Sequence, residues 1–149
     1  LDRGLPVLGV CFGAQLLAAA AGGTPRPGAA TEVGWCPVAL EPPAYDDPLL
    51  HGVAETFLAY QYHYDTFDLP GSATVLARNG EVVEAFRVGE RAWGLQFHVE
   101  ATPATVLGWA GTYRALMAAD GIDVKSVTTD YAEDPFGVMY WVVRWQCAS

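Results

Sequence analysis

PVLGVCFGAQLLAAAA, residues 6–21, is the stretch that decides the fold. Its opening residues (6–10) are apolar without alternation, the pattern of a short strand buried on both faces. From about Gly13 the alanine- and leucine-rich run reads as a helix, and Gly22-Gly23 supplies its stop. A buried strand followed at once by a helix implies an α/β layer architecture. Cys11 stands at the junction, with Gly9 two residues before it and Gly13 two after. A nucleophile on a sharp strand-to-helix turn calls for glycine at both places, because side chains there would collide as the chain reverses. The helix N-terminus favours the thiolate, the reactive form of cysteine, and the Phe12 N–H is a candidate oxyanion donor. Taken alone, the motif also fits a cysteine simply buried in a glycine-rich turn.

Outward from this point, Thr24 to Ala30 is turn-rich and residues 33–40 (VGWCPVAL) read as a strand. PPAYDDPLL, residues 42–50, reads as a loop with one helical turn. An antiparallel set follows at 56–62, 73–78, 82–88 and 92–98, with Asn79-Gly80 and Gly89-Glu90 at the connections. A helix starts at Thr102-Pro103, with threonine as N-cap and proline at the first helical position. Val106, Ala110, Tyr113 and Met117 recur at helical spacing, and Gly121 ends it. Residues 122–149 read as a divergent tail of a single domain, and VMYWVVRW (138–145) follows neither strand nor helix period.

Composition narrows the function. The chain has 149 residues, 52% of them hydrophobic, enough for one globular domain with a real core. Eight basic and 17 acidic residues leave a formal charge of −9, which repels a phosphate backbone and argues against nucleic acid as a partner. Cys11, Cys36 and Cys147 show no CxxC pairing and no histidine at zinc-ligand spacing. So sparse and odd a count suits a reducing compartment, and the expected location is the cytoplasm. The uncharged run from Gly4 to Pro25, preceded by Arg3, imitates a secretory signal peptide. Pro6, Gly9, Gly13 and Gln15 interrupt it, and it is too broken for a membrane helix, so neither secretion nor membrane insertion is the expected reading.

A second constellation is GLQFHVE, residues 94–100. His98 and Glu100 are two apart, so on an extended chain both side chains lean the same way. Glu100 can then hold the imidazole of His98 while His98 takes the proton from Cys11. By itself the pair also fits a strand-end histidine beside a solvated glutamate.

CFGAQLL followed by GLQFHVE, with a strand-rich middle, resembles the class I glutamine amidotransferase family over about residues 5–121. HYDTFDLPGSATVLARN (63–79) is similar to the H-x-D…LP…LA stretch of its GMP-synthase-like branch. The resemblance implies a partial three-layer α/β/α, flavodoxin-like domain with additional antiparallel strands. It implies Cys11, His98 and Glu100 as a catalytic triad and Gln15 as a substrate-holding residue. It also implies that His63, Tyr64 and Asp65 shape a pocket loop beside the glutamine. Glutamine is then the small-molecule substrate, a synthase partner receives the ammonia, and no metal or organic cofactor is implied.

Val99 stands where the family usually has proline, and Tyr64 where the branch often has glycine. Family members normally place about two βα units ahead of the elbow strand, roughly 30 residues each. This chain starts just before that strand, so it reads as N-terminally incomplete, without the segment that usually supplies the other oxyanion donor. A γ-glutamyl hydrolase with the same triad, an incompetent fragment serving as an interaction module, and a secreted protein are the rival readings. His51 reads as a surface residue, and Trp35 and Trp93 as core aromatics rather than a ligand platform.

Overall fold

The computed structural model describes residues 3–129, so the 138–145 segment, Cys147 and most of the expected tail lie outside the described residues. Its elements run β1 (Val7–Val10), α1 (Phe12–Ala20), β2 (Thr24–Leu40), a 3-10 turn (Pro42–Ala44) and β3 (Thr56–Asp68). β4 (Ala73–Asn79), β5 (Val82–Val88) and β6 (Ala92–Leu95) follow. The described part closes with α2 (Pro103–Thr112), α3 (Arg114–Ala119) and α4 (Val124–Thr129). The expected α/β class is present, as one mixed six-stranded sheet in the order β1-β6-β5-β4-β2-β3.

Among the described residues only β1 and β6 pair in parallel, with Gly9 opposite Gly94 and Val10 opposite Leu95. Their C-terminal ends therefore finish side by side, and the residues just beyond each strand, Cys11 and Gln96 to His98, come together. In open α/β sheets this carboxyl end of parallel strands is where ligands bind. The remaining pairings are antiparallel, and the β4–β5 hairpin turns through Gly80-Glu81, with Gly80 at φ 55°, one residue later than the expected Asn79-Gly80, because Asn79 still pairs with Val82.

Three apolar clusters hold this arrangement. Val38, Leu40, Leu50, Phe57, Leu76, Leu95 and Phe97 form the largest, and Val99, 6% exposed, is part of it. The residue that departs from the family's usual proline thus fills core volume. Ala14, Leu17 and Ala18 of α1 pack on Phe67 and Phe86, two rings 5.0 Å apart and edge-on. Phe86 lies against Gly94, where an added Cβ would stand 2.2 Å from its ring. The third cluster joins Tyr60 of β3 to Val106, Met117 and Val127 of the three C-terminal helices.

Four other expectations change. Thr24 to Ala30 is the first half of β2, not a run of turns: Thr24 to Pro27 pair with Asp68 to Asp65 of β3. β2 meets β4 only at Ala39 and Leu40, so Pro25 and Pro27 lie where the strand has one neighbour and their missing N–H groups break no second ladder. Residues 63–68 continue β3 and do not form a loop. β6 ends at Leu95, and residues 96–100 leave the sheet before His98. The helix from Thr102, whose hydroxyl accepts from the Thr105 N–H, breaks at Tyr113 (φ −103°, ψ 15°), where the tyrosine ring packs on Tyr62. Gly108 and Gly111, weak helix formers, sit in the turn before that break.

Candidate active site

Cys11 is the one non-glycine residue with positive φ among the described residues, at φ 50° and ψ −109°. Such a backbone costs about 1–3 kcal/mol and persists only where the surroundings impose it. β6 fixes one side, through a 2.7 Å hydrogen bond from the Cys11 N–H to the Leu95 carbonyl. α1 fixes the other, its first turn closing with the Ala14 and Gln15 N–H groups on the Cys11 carbonyl. The thiol is left part-exposed at the start of α1, where helix geometry gives the Phe12 and Gly13 N–H groups no intrahelical acceptor.

The two elbow glycines are not equivalent. A Cβ on Gly9 would stand 2.4 Å from the Gly13 carbonyl oxygen and 2.9 Å from the Ala14 nitrogen, both backbone. A Cβ on Gly13 would meet nothing within 4 Å, so the expected steric need at that position is absent. Gly9→Ala is therefore expected to destabilise the protein by about 3 kcal/mol, in the upper range for overpacking. Gly13→Ala is expected to gain up to about 1 kcal/mol from helix propensity. Urea unfolding of the two variants checks both.

His98 stands beside Cys11, held by three contacts. Its Nδ1 donates to Glu100 Oε1 at 2.6 Å, its backbone N–H donates to the Tyr60 carbonyl at 2.8 Å, and its ring meets Trp109 edge-on at 4.8 Å. Burial works against charge on the ring, but hydrogen bonds and charge from Cys11 and Glu100 outweigh it and raise the His98 pKa to about 9. For Glu100 burial is again the largest influence and opposes ionisation, yet His98 wins and the carboxyl is held below its usual range. His98 and Glu100 are thus hydrogen-bonded, across a turn at residues 99–100 and not along the extended strand expected there.

Gln15 lies one helical turn beyond Cys11, on the same face. Its Nε2 donates to the Asp65 carbonyl at 3.1 Å and lies 3.5 Å from Gln96 Oε1. Gln96 in turn directs its Nε2 at the Cys11 sulfur, 3.8 Å away, and the thiol points at the Tyr62 carbonyl at 3.9 Å. Along β3 side chains alternate between faces. Asp65 reaches Gln15 through its carbonyl, while Tyr64 donates its hydroxyl to Asp120 at 2.7 Å. His63 points inward to Glu32, with Nε2 3.3 Å from Oε2. Of the expected pocket residues, only Asp65 bonds directly to a residue at the nucleophile.

Gln96, Tyr62 and Trp109 are site residues that the sequence reading missed. Gln96 had a local signal, since it sits in the same motif as His98. Tyr62 acts through its carbonyl and Trp109 through a contact made by the fold, and neither carries a sequence pattern. His51 is exposed, with Nδ1 3.0 Å from the Tyr45 carbonyl, and Trp93 donates its indole N–H to Asp47. Trp35 packs edge-on against Tyr60 at 5.4 Å. Glu32, His63 and Glu84 are the described residues grouped so that they could hold a metal ion.

Burial foremost, and then the charges of Glu32 and Glu84, pushes the Cys36 thiol up to about 11. Cys11 is therefore expected to alkylate faster than Cys36 at neutral pH, as mass mapping after brief iodoacetamide exposure would show. Equal rates in the folded protein would contradict an activated Cys11.

The class-I glutamine amidotransferase family model matches residues 1–106. Among curated relatives, the GMP synthase [glutamine-hydrolyzing] of Porphyromonas gingivalis is 41% identical over 99 residues, covering 64% of this chain and 19% of the relative. That of Thermomicrobium roseum is 41% identical over 101 residues, with 67% and 19% covered. The chain thus spans about a fifth of the length of the curated relatives it matches. A glutamine amidotransferase from Thermotoga maritima superposes with a TM-score of 0.85 at 28% identity, over 98% of this chain and 62% of that one. A glutamine amido transferase from Methylobacillus flagellatus shares the fold, with a TM-score of 0.82 at 24% identity over 95% of this chain and 62% of the other. Among the described residues no helix is long and apolar enough to cross a membrane.

Proposed function

The chain belongs to the class I glutamine amidotransferase family, and from that premise we propose that it hydrolyses the side-chain amide of glutamine through Cys11, His98 and Glu100. The observation that carries the reading is the strained backbone of Cys11 at the strand-to-helix junction, next to a histidine bonded at 2.6 Å to Glu100. Strain of this kind is retained where it aims a reactive group.

The steps follow from the donors and acceptors present. The Cys11 sulfur attacks the amide carbon, and the carbonyl electrons move onto oxygen, toward the Phe12 N–H. Collapse of that intermediate expels ammonia, which takes its proton from His98 Nε2, the nitrogen left free by the Nδ1 bond to Glu100. Water then attacks the thioester, giving its proton to His98, and the second collapse releases glutamate and restores the thiolate. Glu100 keeps the imidazole in the required tautomer and stabilises its charged form. Gln15 and Gln96 position the cleft, one through the Asp65 carbonyl and one at the sulfur. The ammonia passes to a synthase partner, a reading supported by relatives whose names join glutamine hydrolysis to GMP synthesis.

Incubation with L-glutamine, with ammonia and glutamate measured together, tests this reading. Equal amounts of both are expected. Preference for other γ-glutamyl amides over glutamine would instead favour a γ-glutamyl hydrolase.

A further inference from the structure

The interior between β2, β3 and β5 holds polar groups that amide hydrolysis does not use. Glu32 and His63 are cross-strand partners, and Glu84 of β5 joins them. Each offers one ligand atom, and these atoms all lie within 4.8 Å of one another. The residues are 8%, 5% and 0% exposed, respectively.

Hydrogen bonds satisfy this group only in part. His63 Nδ1 lies 3.0 Å from the Asp65 carbonyl oxygen. A carbonyl only accepts, so Nδ1 carries a proton and donates it. On the neutral ring Nε2 then presents a lone pair, and it faces Glu32 Oε2 at 3.3 Å without an aligned hydrogen bond. Glu84 Oε1 is likewise buried and no N–H or hydroxyl donor reaches it; the Glu32 and Glu84 carboxyls bond to each other only when one of them carries a proton. The other two carboxylate oxygens are held: Asn79 Nδ2 donates to Glu32 Oε1 and Gln61 Nε2 to Glu84 Oε2, each at 2.6 Å. Arg26, Arg78 and Arg87 pair elsewhere, with Asp68, Glu41 and Asp47. Two buried carboxylates and a nitrogen lone pair thus converge, an arrangement that is strongly unfavourable unless something positive lies between them.

We propose that Glu32, His63 and Glu84 form a buried binding site for a divalent transition metal of the zinc class. One imidazole nitrogen with carboxylate oxygens is a donor set that zinc takes and that hard cations such as magnesium do not favour. Two carboxylates match its charge. The surrounding bonds have the form expected of outer partners that orient metal ligands: a backbone carbonyl on the far nitrogen of His63 and one amide on each carboxylate. Gln61 Oε1, buried without a hydrogen-bond partner, adds an oxygen next to the group. A cleft of about 380 Å³, lined by Glu32, His63, Thr66 and Arg78 among others, gives an entry path. Glu32, His63 and Glu84 take no step in the thiol chemistry, although His63 and Gln15 share the Asp65 carbonyl, so the inference does not rest on glutamine hydrolysis.

The opposing account is a single proton shared between Glu32 and Glu84, with no ion. The Cys11→Ala protein, which cannot bind metal through the nucleophile, is stripped with chelator and equilibrated with zinc chloride. Bound zinc is then counted by elemental analysis after gel filtration. One zinc per chain and a zinc-dependent rise in melting temperature are expected. Glu84→Gln and His63→Gln in the same background are each expected to weaken binding by at least about 100-fold. Cobalt in place of zinc is expected to give ligand-field bands without a thiolate charge-transfer band, whereas such a band would assign the metal to Cys36 or Cys147 and overturn the site. Zinc that leaves the melting temperature of the Cys11→Ala parent unchanged would also overturn it, whether or not the variants fold. A Glu84→Gln protein that keeps the parent's zinc content would do the same.

Discussion

Cys11→Ala is expected to lower glutamine turnover at least about 10⁴-fold, the scale on which removal of a nucleophile collapses a catalytic triad. Fold loss is not the cause in this account, because alanine keeps the Cβ and the backbone bonds on both sides of position 11 are unaffected. Cys11→Gly separates the two effects more sharply. It removes the nucleophile and also releases the positive-φ strain, since glycine occupies such conformations freely. It is expected to be inactive and more stable than the parent, by about 1–2 kcal/mol if most of the strain is recovered. Turnover and urea midpoints on the same preparations read both quantities. An inactive Cys11→Gly that is also less stable would mean that the strain is not stored at this residue.

His98→Ala carries the second large effect. Loss of a general acid–base is expected to reduce kcat by about 10²–10⁴. The pH dependence is more specific. His98 titrates near 9 in the folded protein against an ordinary value of 6.5. A raised pKa of this kind stabilises the fold fully below about pH 6.5, and the contribution fades as pH rises through 9. At 1.36 kcal/mol per unit this is on the order of 3 kcal/mol, for a side chain only 12% exposed. Glu100 has the opposite sign: its depressed pKa stabilises above the ordinary value of 4.5 and that stability is lost as pH falls through the depressed one. Urea midpoints between pH 6 and 10 should therefore decline in the parent and be flatter in His98→Ala. Parallel slopes would place the charged His98 outside the native pair.

What the sequence made legible, and what it did not, divides by range. The elbow was readable because everything that defines it lies in one short stretch, residues 7–13: an apolar strand, a cysteine and the glycines around it. His98 and Glu100 were readable for the same reason, and their pairing survives even though the chain turns there instead of running straight. The first half of β2 was hidden because Pro25, Pro27 and Gly28 carry the composition of a turn, and only its position beside a single neighbouring strand makes them tolerable. The need for glycine at 13 came from the logic of a reversing chain, yet the space there is open. Gln96, Tyr62 and Trp109 reach the site through contacts between distant segments, which no local spacing encodes. His63 matched a motif, but its surroundings come from Glu32 and Glu84 on other strands.

The central claim, that Cys11 forms the covalent bond, is tested most directly by intact-mass spectrometry of acid-quenched glutamine turnover, with the modified peptide mapped. The account predicts a γ-glutamyl adduct on the peptide containing Cys11, removed by hydroxylamine and absent from Cys11→Ala. Ammonia release at an undiminished rate from Cys11→Ala, or an adduct mapped to Cys36, would contradict it.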